Sequence, residues 1–146
     1  MIIRAAEYDD LSSIHGLVRE LAIYEKEEAA FTATLEDYQN DWEKGIFDAI
    51  VAEDKGRVIG MALYYLTYST WKGRMLYLED FVVLERYRQR GIGQRLFDAF
   101  IEKAHALECR MVKWQVLDWN EPALKFYRKN GAIIEKGWWN GKMFLR

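Results

Sequence analysis

The chain has 146 residues, of which 51% are hydrophobic, 15% aromatic and 30% charged, with a formal net charge of −2. That length and apolar content suit one folded domain over residues 1–146 and exclude wholesale disorder. The near-neutral balance gives no sign of nucleic-acid binding by bulk charge, and a lone cysteine, Cys109, excludes an intramolecular disulfide scaffold.

Residues 2–5 are a short apolar run and the first predicted strand. The period then changes. Leu11, Ile14, Leu17, Val18 and Leu21 recur at spacings of three and four, which predicts a helix within residues 9–26, with Asp9 or Asp10 as its cap. A second helix is predicted over residues 33–44, where Thr34 precedes an acidic first turn and Gly45 stops it. Residues 47–53 and 58–68 read as strands joined by a hairpin turn at Asp54, Lys55 and Gly56. A second turn near Trp71, Lys72 and Gly73 leads to a strand over residues 75–84, whose interior holds Glu79 and Asp80. Adjacent strand residues face opposite sides, so these two acids share a wall only if a bulge intervenes. Helical spacing returns over residues 91–107. A strand follows at 111–117, then a helix at 120–129 with Asn120 as cap and Pro122 in its first turn. Two last short strands are predicted at 132–135 and 142–145. The order gives one mixed α/β layer structure.

No run resembles a signal peptide or a spanning helix, so neither membrane insertion nor nucleic-acid binding is expected, and a cytoplasmic location is the default. His15 and His105 lie far apart, and with one cysteine they make a poor zinc site, so no metal is expected.

The sharpest local feature is the turn Arg88, Gln89, Arg90, Gly91, Ile92, Gly93, Gln94 between a strand and a helix. Its glycines allow a tight turn and close approach of the backbone to a ligand. The helix behind it offers N–H groups and the positive end of a dipole, an arrangement suited to a pyrophosphate. No Gly-Lys-Ser/Thr follows, which excludes a Walker loop. Leu96 stands where a dinucleotide fingerprint needs its third glycine.

This turn, the run YYLTYSTWKGRMLYLEDFVV at residues 64–83 and the run LDWNEPALKFYRKNGA at residues 117–132 together resemble the GNAT acetyltransferases, and within them the diamine acetyltransferase branch. The resemblance implies an α/β acyl-CoA N-acyltransferase fold, with a mixed, mostly antiparallel sheet flanked by helices. It implies acetyl-CoA as cosubstrate, held by Arg88, Gln89, Arg90, Gly91, Ile92, Gly93 and Gln94 at the pyrophosphate. Backbone groups of Phe81 and Val83, with Asn120 and Tyr127, would hold the pantetheine end. Glu79 is placed near the amine as base or base relay, Asp80 beside it in the acceptor site, and Tyr127 as the proton donor to the departing thiolate.

On the acceptor side, Tyr24, Glu25, Glu28, Tyr65, Trp71 and Trp119 supply carboxylates that draw in a cation and aromatic faces that stack on one. Polyamine-specific members of the branch place an aspartate where this chain has Ser69. The expected acceptor is therefore a small primary amine, a thialysine-like or lysine-like amino acid or a short diamine or polyamine. The expected mechanism is direct sequential transfer, since no cysteine or serine is placed as a nucleophile. Alternatives are acetylation of a protein or peptide amine, and a non-catalytic CoA-binding protein of the same fold. The resemblance also implies a homodimer. Trp138 and Trp139, flanking the last turn, are expected either to pack a partner subunit or to close the acceptor site.

Overall fold

The two longest predicted strands of the middle region are apolar at almost every position, which a strand tolerates only when both faces are covered. The computed structural model, which describes residues 1–145, supplies both covers as far as Tyr64, beyond which Leu66 and Tyr68 are exposed. The described chain divides into two compact units, Met1–Trp114 and a second that begins at Gln115.

The first unit is a five-stranded sheet in the order β1 (Ile2–Ala5), β2 (Asp48–Asp54), β3 (Arg57–Ser69), β4 (Gly73–Val83), β5 (Met111–Trp114). Every neighbouring pair is antiparallel except β4 and β5. That parallel pair needs a crossover, and α3 (Ile92–Ala106) provides it. Helices α1 (Leu11–Tyr24) and α2 (Leu35–Glu43) connect β1 to β2. Along β2 and β3 the side chains alternate between two cores. Ala49, Val51, Met61 and Leu63 join Leu11, Ile14 and Leu17 of α1 in one buried cluster. On the opposite face Tyr64 meets Phe100 of α3 at 5.8 Å between ring centroids. Phe97 of the same helix meets Phe81 at 6.0 Å and Trp114 at 5.6 Å.

Local signals explain several boundaries. Lys55 and Gly56 both have positive φ, 51° and 77°, as a two-residue hairpin between twisted strands requires. Thr34 caps α2 by accepting from the Asp37 amide at 3.1 Å, and Asp37 returns the favour to the Thr34 amide at 2.8 Å. Asp10 stands at the N-cap position of α1 but gives the helix no side-chain bond. Its carboxylate instead accepts from the Glu7 amide and from the fork of Arg4, at 2.8 and 3.0 Å. The Arg4 fork also reaches Glu53 at 3.0 Å, so the expected cap is a clasp between β1, β2 and the start of α1.

The second unit holds α4 (Glu121–Lys129), capped by Asn120, whose side chain accepts from the Ala123 amide at 3.3 Å. The strand expected at 111–117 ends at Trp114, because a turn from Leu117 to Asn120 opens the approach to α4. Strands do not form at 132–135 or 142–145. A strand needs a partner for its amides and cover for a face. Here Ile133, Met143, Phe144 and Leu145 are all exposed, and the fixed points are the Ala132 amide on Tyr127 O and the Gln115 side chain on Asn140. Among the described residues no helix is long and apolar enough to cross a membrane.

Gly60 was not singled out in the sequence, yet it is the tightest glycine in the molecule. A Cβ there would lie 3.0 Å from Val82 O and 3.3 Å from both Leu96 and Val83 side-chain atoms. The backbone carbonyl cannot yield as a side-chain tip would. Gly60→Ala is expected to destabilise the protein by about 1–3 kcal/mol. The check is the midpoint of denaturant unfolding at unchanged slope.

Candidate active site

The register between β3 and β4 contains one irregularity, and it falls on the acidic pair. Leu63 lies opposite Asp80, but Tyr64 lies opposite Leu78, so Glu79 is an extra residue on β4. The bulge resets the alternation. Val82 belongs to the α1-side core, and by period two Asp80 shares its face. Leu78 pairs with Tyr64, which faces α3, so its neighbour Glu79 also turns to the α1 side. Both carboxylates therefore face α1 and α2, as the sequence allowed only through a bulge.

Other groups converge there. The Tyr65 hydroxyl donates to Glu79 Oε1 at 2.7 Å, and its ring stacks on Tyr77 at 5.4 Å. Glu25, just past the end of α1, is raised above the usual carboxylate range by burial and by the charges of Glu27 and Glu79. Asp80 is partly buried, and its side chain makes no hydrogen bond or ion pair among the described residues. Burial first, then the charges of Glu79 and Glu25, push it up to about 7. The phenols respond to the same field. Tyr38 of α2 is raised by burial and by Asp80 and Glu79; Tyr65 and Tyr77 are raised by burial and by Glu79. The charges that act on Asp80 and Glu25 are carboxylates: Glu79 and Glu25 on the first, Glu27 and Glu79 on the second. A site of this kind favours an entering ammonium.

The pairing of β4 with β5 also stops here, at Leu78 and Trp114. The Leu84 amide bonds Ile59 O on β3, so by alternation the main-chain groups of Phe81 and Val83 point to the other edge, the side from which β5 has ended. This is the edge along which an extended amide-bearing chain can lie as an added strand. Val83 O is already engaged, accepting from Arg88 Nε at 2.8 Å.

Arg88 opens the glycine turn and also lies over the Tyr24 ring, 5.5 Å from its centroid. The turn places Gln89 at φ 62° and Gly91 at φ 78°, the latter as N-cap of α3. Gly91 is there for conformation, since a Cβ would meet nothing within 4 Å. At Gly93 a Cβ would rest 3.8 Å from Phe81, over the start of the helix. Both α2 and α4 carry a side-chain cap, whereas α3 has none. The first amides of α3, from Ile92 onward, thus have no side-chain cap, an arrangement that suits an anion. Arg86 and Arg90 flank the Tyr87 ring, each at 5.4 Å, and keep positive charge beside the turn. Gln94 donates to Asp98, and Arg95 turns to Met1 Sδ.

Not every expected residue joins these groups. Glu28 is exposed in a short turn of 3-10 helix and makes no bond to the carboxylates. Trp71 is 88% exposed at the tip of the β3–β4 hairpin. Six residues of β4 separate its turn from Glu79, on the order of 20 Å at strand rise. Asn120, Trp119 and Tyr127 belong to the second unit, where Tyr127 is buried on α4 and Trp119 is exposed. Tyr38 and Tyr77 were not expected. Tyr77 was legible, standing two residues before Glu79 on one strand face, but Tyr38 depends on how α2 packs. No group of His, Cys, Asp and Glu that could hold a metal ion occurs among the described residues.

An edge suited to an amide chain, with a carboxylate pair before it in the strand and an anion-suited turn after it, suits an acyl-CoA and an amine. The Acetyltransferase (GNAT) family matches residues 11–132. The chain belongs to that family. The thialysine N-epsilon-acetyltransferase of Bos taurus is 37% identical over 142 residues, covering 90% of this chain and 84% of the relative. In fold, an aminoglycoside acetyltransferase from an uncultured soil metagenomic sample superposes with a TM-score of 0.82 at 20% identity, over 99% of this chain and 96% of that one. An aminoglycoside N-acetyltransferase in complex with CoA gives 0.73 at 22% identity, over 98% and 100%. This GNAT protein is an acetyl-CoA-dependent N-acetyltransferase of amines.

The raised Asp80 has a consequence for stability. Unfolded, an aspartate titrates near 3.8, and here it titrates near 7. The folded state therefore holds an extra proton between those values. The stabilisation this gives is complete below the unfolded value and is lost as pH rises through 7. Asp80→Asn stays neutral, so its Tm relative to the parent should be near unchanged below about pH 3.8 and raised by on the order of 3 °C or more at pH 8. A Tm difference that is the same at both pH values contradicts the burial argument.

Proposed function

We propose that the acceptor is a small, short primary amine of the thialysine or lysine type, or a short diamine, and that transfer is direct. The observation that carries this reading is the bulge that turns Glu79 and Asp80 to one side of the sheet, where the charges of Glu79 and Glu25 raise Asp80. Likeness to a thialysine acetyltransferase supports it. Ser69, where polyamine-specific members have an aspartate, weighs against a long polycation.

The residues divide the work. Glu79, tied to Tyr65, holds the ammonium by charge. Asp80 takes its proton, because a base that titrates near the working pH transfers protons best. This differs from the sequence expectation, which had Glu79 as base or base relay. Acetyl-CoA supplies the thioester. The neutral nitrogen forms the new bond to the acetyl carbon as the carbon–sulfur bond breaks, Tyr127 gives its phenolic proton to the sulfur, and the second proton that the nitrogen sheds on becoming an amide passes through solvent to restore the phenol. The turn at Arg88, Gly91 and Gly93 and the edge at Phe81 and Val83 fix the thioester, so orientation supplies much of the rate.

The acceptor reading is tested by thiol release across thialysine, lysine, spermidine, spermine and short diamines. Thialysine or a short diamine should exceed spermine at least about 10-fold in kcat/KM, a margin of roughly 1.4 kcal/mol in transition-state binding. Preference for spermine, or no turnover with any amine, refutes it. In the pH profile of kcat/KM, the acid limb near neutrality should vanish in Asp80→Asn and persist, at lower rate, in Glu79→Gln. The reverse outcome returns the base to Glu79. Tyr127→Phe should lower kcat about 100-fold while KM for acetyl-CoA changes little.

A further inference from the structure

Tyr38 has no part in the division of work above, yet its ring is firmly placed beside the acids. The capping box of Thr34 and Asp37 fixes the first turn of α2, on which it stands. The ring meets His15 of α1 edge to face at 4.9 Å and Phe47, at the entry to β2, at 5.7 Å. His15 is itself held, its Nε2 lying 2.8 Å from Ala33 O. Rings packed in this way keep little rotamer freedom. Tyr38 also packs against the buried cluster that contains Leu63 and Val82. Leu63 is the cross-strand partner of Asp80, and Val82 is the next residue along the same face of β4. All of these residues belong to the first unit.

The hydroxyl is not spent on this packing. It makes no hydrogen bond among the described residues. No buried side-chain oxygen or nitrogen of those residues lacks a partner, so the hydroxyl opens onto accessible space. The charges of Asp80 and Glu79 reach it there and, with burial, keep it a neutral phenol. Glu79 commits Oε1 to the Tyr65 hydroxyl, which leaves Oε2 free among the described residues. Three oxygen groups thus remain on this side of the sheet: Glu79 Oε2, the Asp80 carboxylate and the Tyr38 hydroxyl. A primary ammonium has three N–H donors, and its N-methyl counterpart has two. We infer that Tyr38 binds the acceptor amine, its phenol oxygen taking the third N–H of an ammonium whose other two go to Glu79 and Asp80, and that this count selects a primary amine over an N-methylated one. The inference rests on the acceptor site proposed above and deepens it. A neutral phenol suits the third place, because a third carboxylate there would add to the repulsion that the first two already bear.

Titration calorimetry on the full chain loaded with CoA tests this, since CoA carries no acetyl group and a bound amine stays unreacted. The probes are 1,4-diaminobutane and its N,N′-dimethyl derivative at pH 8, where Asp80 is charged and the amines remain protonated. The parent should bind the primary diamine at least about 10-fold more tightly, because the methyl group removes one hydrogen bond to a charged donor. Tyr38→Phe keeps the ring and its contacts, so its melt should match that of the parent. In that variant the primary diamine should weaken about 10-fold and the dimethyl derivative less than about 2-fold, which closes the preference. A parent without the preference overturns the inference, and this readout needs no variant. A preference that survives in Tyr38→Phe overturns it too. So does one that closes because the dimethyl derivative binds more tightly, since the phenol is then only a wall. If neither diamine binds the parent, the proposed acceptor site falls, and the inference with it.

Discussion

The arrangement of the candidate site rests on one extra residue in β4. Without the bulge at Glu79, strict alternation would send one of the two acids into the aromatic core around Phe97 and Phe100. That core has no group to receive a charge, and burying an unpaired carboxylate there would cost several kcal/mol. With the bulge, both acids reach the α1 side. The same stretch is where β5 stops pairing, so the break in register and the opening of the edge occur together. A bulge increases local twist, which is a physical reason for a neighbouring strand to part company at that point.

The small net charge conceals two strong local fields. Around the turn before α3, Arg86, Arg88 and Arg90 are held by ring faces and by Val83 O rather than by carboxylates. They keep their charge for an anion. Around the bulge, Glu25, Glu79 and Asp80 repel one another and raise the phenols beside them. Each cluster is unfavourable alone and is relieved by a ligand of opposite sign. Tyr24 and Arg88 meet where the two fields adjoin. Binding of a polyanion and of a cation therefore relieves strain at both ends of one short stretch of chain, from Glu79 to Gly93.

What could be read from the sequence was what neighbours in sequence decide. The cap at Thr34, the hairpin at Lys55 and Gly56, the left-handed Gly91 and the cap at Asn120 each depend on a few adjacent residues. The β2–β3–β4 part of the sheet followed from them, because strands joined by short turns pair with their neighbours. What could not be read depends on distant partners. Asp10 has the chemistry of a cap, but Arg4 and Glu53 claim it. Trp71 resembles a wall of an acceptor site, yet the length of the β3–β4 hairpin carries it away from Glu79. Gly60 looks like any strand glycine until Leu96 and Val82 approach it. The final strands had the right pattern but lacked a ladder within their own chain.

Strand β4 carries two kinds of information in the same few residues. In the proposed function the side chains act at Glu79 and Asp80. At Phe81 and Val83 it is the main chain, and many apolar side chains would serve there equally well. What both halves share is the count: β4 is one residue longer than the partner stretch it lies against. For an evolving lineage, point changes at Phe81 or Val83 are cheap and those at the acids are not. Loss of a single codon anywhere between them would turn every following side chain to the wrong face. Strand length, rather than residue identity, is then the trait under the tightest constraint, and a one-residue gap in this stretch marks a change of chemistry more surely than a substitution does.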